Sequence, residues 1–149
     1  MFKNLMELFA PPEDNHDAPI TTELAVAALL VHLAGIDGEF ADVEMTRIRQ
    51  VLRNHFSLDE DAVAELIARA RKRDAEAVDF YQFTSLLTRL DMDQRIQIIR
   101  MMWNVVFADH VQNEMEDNMV WRVAELIGVS ARERTMLRAE VRKEQAGPA

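Results

Sequence analysis

Apolar residues recur at intervals of three and four along most of the chain, the spacing that places them on one face of a helix. Between Ile20 and Gly147 there is no proline, and only Gly35, Gly38 and Gly128 interrupt the segment. Because proline and glycine most weaken a helix interior, this pattern predicts an all-α domain. The expected helices run from Thr21 or Thr22 to about Gly35, and then over about 42–55, 58–73, 80–90, 92–108, 114–127 and 131–145.

Two of these helices are apolar on nearly every side. One is the run from Leu24 to Ile36, and the other lies within Ile96 to Ala108 and includes Trp103. A helix that is apolar all round is expected at the centre of a fold, surrounded by other helices. The longest apolar run, Leu24 to Ile36, is shorter than the roughly 20 residues needed to cross a bilayer. We therefore expect buried helices and no transmembrane segment.

Five capping boxes mark the expected helix starts. In a capping box, a short polar side chain accepts a hydrogen bond from the opening turn of the helix, and a Glu or Gln three residues later reaches back. The pairs are Ser57 with Glu60, Asp79 with Gln82, Asp91 with Gln94, Asn113 with Glu116, and Ser130 with Glu133.

The chain also contains an internal repeat. A shift of 72 residues aligns Leu24 with Ile96, and past the helix it aligns Asp37 with Asp109. Each half has the order helix, acidic loop, helix, helix, and one half alone cannot bury both sides of its first helix. We therefore expect a compact single-domain bundle of about seven helices, built from two helical repeats related by a pseudo-twofold axis.

Residues 1–20 are expected to form an N-terminal arm and loop outside the helical domain, which spans 21–145. Four apolar residues of the arm fall at helical spacing and predict a short amphipathic docking segment: Phe2, Leu5, Met6 and Phe9. The segment ends at Pro11, carries Glu7 and is too short for a signal peptide. Because the chain has no cysteine, nothing points to an oxidising compartment, and we expect a cytoplasmic protein.

The net charge argues against one large class of partners. The formal charge is −9 at pH 7, and basic residues show only a mild bias towards the segment Arg132 to Lys143. Such a chain would repel a phosphate backbone, so nucleic acid is not an expected partner.

Two acid-rich stretches are the candidates for chemistry. Each has four carboxylates and no Lys or Arg: Asp37, Glu39, Asp42 and Glu44 in the first, and Asp109, Glu114, Glu116 and Asp117 in the second. Hard cations such as calcium and magnesium prefer carboxylate oxygens, so one interpretation is a divalent-cation site without the glycine and glutamate positions of an EF-hand. In the other, Glu44 and Glu116 cap helix starts, where negative charge is favourable, and the remaining acids form a solvated face.

The first stretch lies in a segment that resembles the signature of the TerB (tellurite-resistance) family. That signature is an apolar helix, then Asp-Gly-Glu, then an amphipathic helix. Here Asp37-Gly38-Glu39 follows the apolar run, and Ile48 and Leu52 lie on the apolar face of the next helix.

The second half of the chain extends the resemblance. The segment from Phe107 to Glu116 and the helix that includes Trp121 look like the second half of the family, so the resemblance covers about Thr21 to Arg142. It implies a role in resistance to tellurite and other stresses. It also implies a protein partner, in a membrane-associated complex in some members, and therefore a place at the inner face of a membrane.

Carried over residue by residue, the resemblance assigns metal-facing roles to five acids: Asp37, Glu39, Glu44, Asp109 and Glu116. His110 and Val111 stand where the first loop has Gly38 and Glu39. A loop without glycine is less free to wrap an ion, so the first loop is the favoured site.

Three functions remain open at this point. The first is a non-enzymatic TerB-like interaction module that binds a divalent metal, calcium or magnesium rather than zinc. The second is a metal-dependent enzyme that uses the same carboxylates, which would need a concave pocket. The third is a co-chaperone-like protein-binding domain, because TerB-like domains also occur fused to J-domains.

Overall fold

The computed structural model describes residues 20–36, 38, 41–109 and 114–146. The predicted N-terminal arm, Asp37, Glu39 and the cap at Asn113 lie outside these residues. The described chain forms helices and turns, with no strand, which confirms the all-α prediction. The helices are α1 (Thr22–Ala34), α2 (Asp42–Phe56), α3 (Glu60–Glu76), α4 (Tyr81–Leu87), α5 (Met92–Val106), a 3-10 turn (Phe107–Asp109), α6 (Glu114–Leu126) and α7 (Ala131–Ala146).

Helix α1 is the centre of the bundle. Ten of its 13 residues are buried, and it packs against α2, α3, α4, α5 and α6. Four of the buried positions are alanines, which allow neighbouring helices to approach closely: Ala25, Ala27, Ala28 and Ala34. The prediction of a central helix that is apolar all round is confirmed here.

Helix α5 is central over only part of its length. Its buried residues begin at Ile98 and continue to Val106, where it packs against α1, α2, α6 and α7. Its first turn, including Met92 and Asp93, is exposed. The helix is therefore amphipathic at its start and apolar towards its end, because neighbouring helices surround only the C-terminal part.

Three of the helix starts are capped as the sequence predicts. The side chains of Thr21, Asp91 and Ser130 each accept a hydrogen bond from the backbone N–H three residues later, at 3.1, 2.9 and 3.1 Å. These bonds satisfy amides that have no partner within the helix. They fix the starts of α1, α5 and α7.

The predicted cap at Ser57 is wrong. The N-cap of α3 is Asp59, whose side chain accepts a hydrogen bond from the Ala62 N–H at 2.8 Å, so the helix begins at Glu60. Ser57 instead ends α2 in the left-handed conformation. The short link between the two helices needs both a terminating residue and a capping residue, and Ser57 supplies the first.

Helix α4 is shorter than the predicted 80–90. The Asp79 side chain accepts from the Tyr81 N–H at 2.9 Å, but α4 itself has no side-chain cap. The hydroxyl groups of Thr84, Ser85 and Thr88 each donate to a backbone carbonyl three residues earlier. Such bonds compete with the helix ladder and favour an early helix end.

The two helix ends that follow the acid-rich stretches both use a left-handed residue. Ser57 has φ 54° and Gly128 has φ 79°. Behind Gly128, the Val129 N–H donates to the Ala124 carbonyl at 2.8 Å, which closes the end of α6. Arg95 holds the same turn, since its Nη1 donates to the Ile127 carbonyl at 2.9 Å.

We expect Gly128→Ala to lower the free energy of unfolding by about 1–2 kcal/mol, because an L-residue at positive φ is strained. A Cβ there would also lie 3.2 Å from Arg95 Nη1. The matched change Ser57→Gly removes the same kind of strain and should raise stability by up to about 1 kcal/mol. Urea denaturation measures both, and a loss of stability in both variants would contradict this explanation.

The order of helices recurs in the two halves of the chain. The first half has helices α1, α2 and α3, and the second half has α5, α6 and α7 in the same order. Helix α4 lies between the two sets. Residues aligned by the repeat share burial: Ile48 and Val120 are both at 0% exposure. The pseudo-twofold relation itself stays a prediction, as do the domain limits 21–145.

Candidate functional site

The first acid-rich loop begins where α1 ends. Gly35 closes α1, and the Gly38 N–H donates to the Gly35 carbonyl at 3.0 Å, so the chain turns at once. Gly38 has φ 88°, and a Cβ added there would meet no atom of the described residues within 4 Å. The turn therefore needs a glycine for its backbone angle and not for want of space among those residues. Asp37 and Glu39 flank this glycine, outside the described residues.

The second loop begins at a firmly held 3-10 turn. The Phe107 N–H donates to the carbonyls of Trp103 and Val105, and the Phe107 ring stacks on Trp103 with centroids 5.9 Å apart. Asp109 ends this turn and is partly exposed. Its position is therefore set by aromatic packing in the core.

Glu44 and Glu116 are buried, each with 3% of its surface exposed. Both are the third residue of a helix, in α2 and α6, where the helix dipole favours a negative charge. Neither carboxylate is without a partner. Burying a carboxylate is unfavourable unless it is stabilised locally, so these two acids are structural members of the loop ends rather than part of a solvated face. Asp42 and Glu114, the first residues of the same two helices, are exposed.

The start of α2 lies beside the 3-10 turn of the second half. Arg47 Nη1 donates to the Asn104 carbonyl at 3.3 Å. Asn54, towards the end of α2, borders the same cavity as Gln97, near the start of α5, so the two helices run antiparallel. The 3-10 turn after α5 also contacts α2. Glu44 and Asp109 are therefore at the same end of this helix pair.

The start of α6, in the second half, lies beside the end of α1, in the first half. Ile36, just after α1, lines one cavity together with Met115 and Met119 of α6, and α1 and α6 are in contact. The residue before the first loop, Ile36, therefore lies beside the helix that follows the second loop. The helix that follows the first loop lies beside the 3-10 turn that precedes the second. The residues that bracket the two acid-rich loops are held together by packing between the two halves.

Arg138 of α7 neutralises one of the acids that follow the second loop. Its Nη2 lies 3.0 Å from Asp117 Oδ2, and its guanidinium also lies 5.4 Å and 5.2 Å from the ring centroids of Trp103 and Phe107. Sequence reasoning did not single out Arg138, because nothing local distinguishes it from other α7 bases. Arg138 therefore holds Asp117 in a structural ion pair.

Within the described residues, no group of three or more His, Cys, Asp or Glu side chains is arranged to hold a metal ion. Of the five predicted metal-facing acids, this region contains Glu44, Asp109 and Glu116, whereas Asp37 and Glu39 lie outside it. The five-residue site therefore stays a prediction.

A separate polar cavity of about 440 Å³ lies between α2, α5 and α7. Its polar lining residues include Arg47, Gln50, Asn54, His55, Asn104 and Gln145. Burial lowers the pKa of His55. Several of the polar groups bond to one another, as in the 2.8 Å hydrogen bond from Gln145 Nε2 to Asn104 Oδ1. Of the predicted acids that the structure describes, Glu44, Asp109 and Glu116, none lines this cavity.

Comparison with known families identifies the chain. A sequence profile described as "Tellurite resistance protein TerB" matches residues 23–139. The chain belongs to the TerB family. The matched region runs from the second residue of α1 into α7, so this TerB domain includes both acid-rich loops. Searches of the curated proteins and of the solved structures found no significant match.

The described helices also bear on the expectation that the chain has no transmembrane segment. Across the described helices, none combines the length and the apolar character needed to span a membrane. The profile match relates the chain to tellurite resistance at the level of the family.

Proposed function

We propose that this TerB domain is a non-enzymatic interaction module that binds a divalent cation between its two acid-rich loops and serves tellurite or stress resistance. One observation carries the proposal. Packing between the two halves places the start of α2 beside the 3-10 turn, and the start of α6 beside Ile36. Carboxylates from both loops can therefore contribute to one region.

The chemistry of these residues favours a hard cation. Aspartate and glutamate oxygens at the loops would repel one another at neutral pH, and a divalent cation would relieve that repulsion. Calcium tolerates an irregular set of six to eight oxygen ligands, and magnesium also prefers oxygen, whereas zinc favours His and Cys. Asp37, Glu39 and Asp109 would supply ligand oxygens, and the buried Glu44 and Glu116 would hold the loop ends.

An interaction module fits the surface better than an enzyme does. The polar cavity near His55 is lined by none of the proposed acids that the structure describes, and its polar groups bond to one another. Several large apolar side chains are exposed outside this cavity, and two of them, Tyr81 and Met115, lie near the loops. Exposed apolar groups next to a cation site suit recognition of a protein partner at the inner face of a membrane.

Calorimetric titration with calcium, magnesium and zinc tests the cation proposal. Wild type should bind calcium or magnesium, and Asp37→Asn with Asp109→Asn should abolish the heat of binding. The control is Asp61→Asn with Asp93→Asn, which removes the same charge from exposed first-turn positions of α3 and α5. Binding should survive in the control, because those acids are on other helix starts.

The same variants should differ in stability. A cation at a hundred times its dissociation constant raises the free energy of unfolding by about 2.7 kcal/mol. Wild type and the control should gain this stability, and Asp37→Asn with Asp109→Asn should not. Absence of both heat and stabilisation in the wild type would end the cation proposal. Growth on tellurite with the two double variants then tests whether the cation matters for resistance.

A further inference from the structure

A mainly apolar groove lies between the end of α1, the start of α4 and α6. Its volume is about 560 Å³, and its apolar lining consists of Ile36, Phe80, Tyr81, Met115, Met119 and Leu126. Asp79, Asn118 and Arg122 add a polar rim. The groove is separate from the acid-rich loops but adjoins both, since Ile36 precedes the first loop and Met115 follows the second.

Exposed apolar side chains cluster at this groove. Tyr81 is 59% exposed and Met115 is 52% exposed, and Val78, next to Asp79, is 100% exposed. Apolar surface of this kind, concentrated at a concave site, is typical of a docking surface. The methionines suit an adaptable contact, because their side chains are flexible and polarisable.

We propose that the N-terminal segment of the same chain docks in this groove. Its apolar residues Phe2, Leu5, Met6 and Phe9 fall at i, i+3, i+4 and i+7, the spacing by which an amphipathic helix presents one face to a groove. Lys3 and Glu7 would remain towards solvent. The segment supplies aromatic and aliphatic groups that match the groove's lining.

The chain is long enough for this contact. Ile20 packs against the core at the start of α1, and the groove begins at Ile36 beyond the other end of that helix. The 13 residues of α1 span about 20 Å at about 1.5 Å each. Residues 10–19 can span about 33 Å when extended. The link is therefore long enough to cross the bundle surface from the start of α1 to the groove.

The docked segment would contact Met115 in the first turn of α6 and so restrain the start of that helix. Docking does not depend on cation binding.

Disulfide trapping tests the contact directly, because the chain has no cysteine of its own. Full-length Leu5→Cys with Met115→Cys should form an intramolecular disulfide under mild oxidation at low protein concentration. The matched control is Leu5→Cys with Met136→Cys, since Met136 on α7 is also 52% exposed. If the segment docks, the disulfide should form about tenfold faster in the first pair than in the control pair. Docking raises the local concentration of one thiol near the other.

A second variant separates docking from chance collision. Adding Phe2→Ser and Phe9→Ser to the Leu5–Met115 pair should remove the tenfold advantage while leaving helical circular dichroism unchanged. Equal oxidation rates for the two cysteine pairs would overturn the proposal. Disulfide-linked dimers as the main product would also overturn it, in favour of exchange of the segment between copies.

Discussion

Replacing Trp103 with Ala should lower the free energy of unfolding by about 3 kcal/mol. Trp103 is 1% exposed, so the change leaves a large cavity in the core. Removing a buried aromatic side chain typically costs about 3–5 kcal/mol. We expect the low end, because the indole Nε1 is buried without a hydrogen-bond partner in the described region, and its loss removes an unfavourable group.

The matched control is the chain's other tryptophan. Trp121 is 53% exposed, and Arg134 lies 3.6 Å from the centroid of its ring. Trp121→Ala should therefore cost about 1 kcal/mol or less, mostly through the lost cation–π contact. Urea unfolding followed by circular dichroism measures both variants. Equal losses would show that Trp103 contributes no more to the core than the exposed Trp121 does.

The Trp103 variant should also affect the candidate site. Trp103 stacks on Phe107 in the 3-10 turn, and Arg138 packs near both rings. Without the indole, the turn that carries Asp109 loses its main support. Cation affinity should fall in Trp103→Ala even where the protein remains folded, and it should remain unchanged in Trp121→Ala.

The second large effect concerns the close packing around α1. Ala28 is at 0% exposure in the central helix, so Ala28→Leu must force extra atoms into a filled space. Overpacking of this kind costs about 1–3 kcal/mol. Thermal and urea unfolding of the variant should both show the loss.

Ala68→Leu is the control for Ala28→Leu. Ala68 lies on the exposed side of α3, where an Ala to Leu change should alter stability by no more than about 0.5 kcal/mol. If Ala28→Leu were as stable as wild type, α1 could not be surrounded by helices on all sides.

Most of the fold follows from local pattern. The apolar run in α1 has no polar side, so only a central position could bury it, and Thr21, Asp91 and Ser130 mark helix starts by their side chains. The start of α3 was missed because two polar residues in the same link can each cap a helix. Ser57 and Asp59 compete there, and the backbone geometry that assigns Ser57 to the end of α2 depends on how the two helices pack.

The candidate site was less accessible to sequence reasoning. The acids themselves are visible, but the burial of Glu44 and Glu116 is not, because an acid in a first helical turn usually faces solvent. The contact of α2 with the 3-10 turn joins segments far apart in sequence. No local pattern encodes it. The one available signal was the repeat, which aligns Glu44 with Glu116 and so indicates that both have the same surroundings.

The proposed function requires that the two acid-rich loops lie side by side and share a divalent cation. Anomalous diffraction from crystals grown with calcium checks this requirement, since it locates the ion and its ligands together. We predict one peak between the loops, with carboxylate ligands from both, including Asp37 and Asp109. Loops that lie apart, or a calcium-saturated crystal with no peak between them, would contradict the claim.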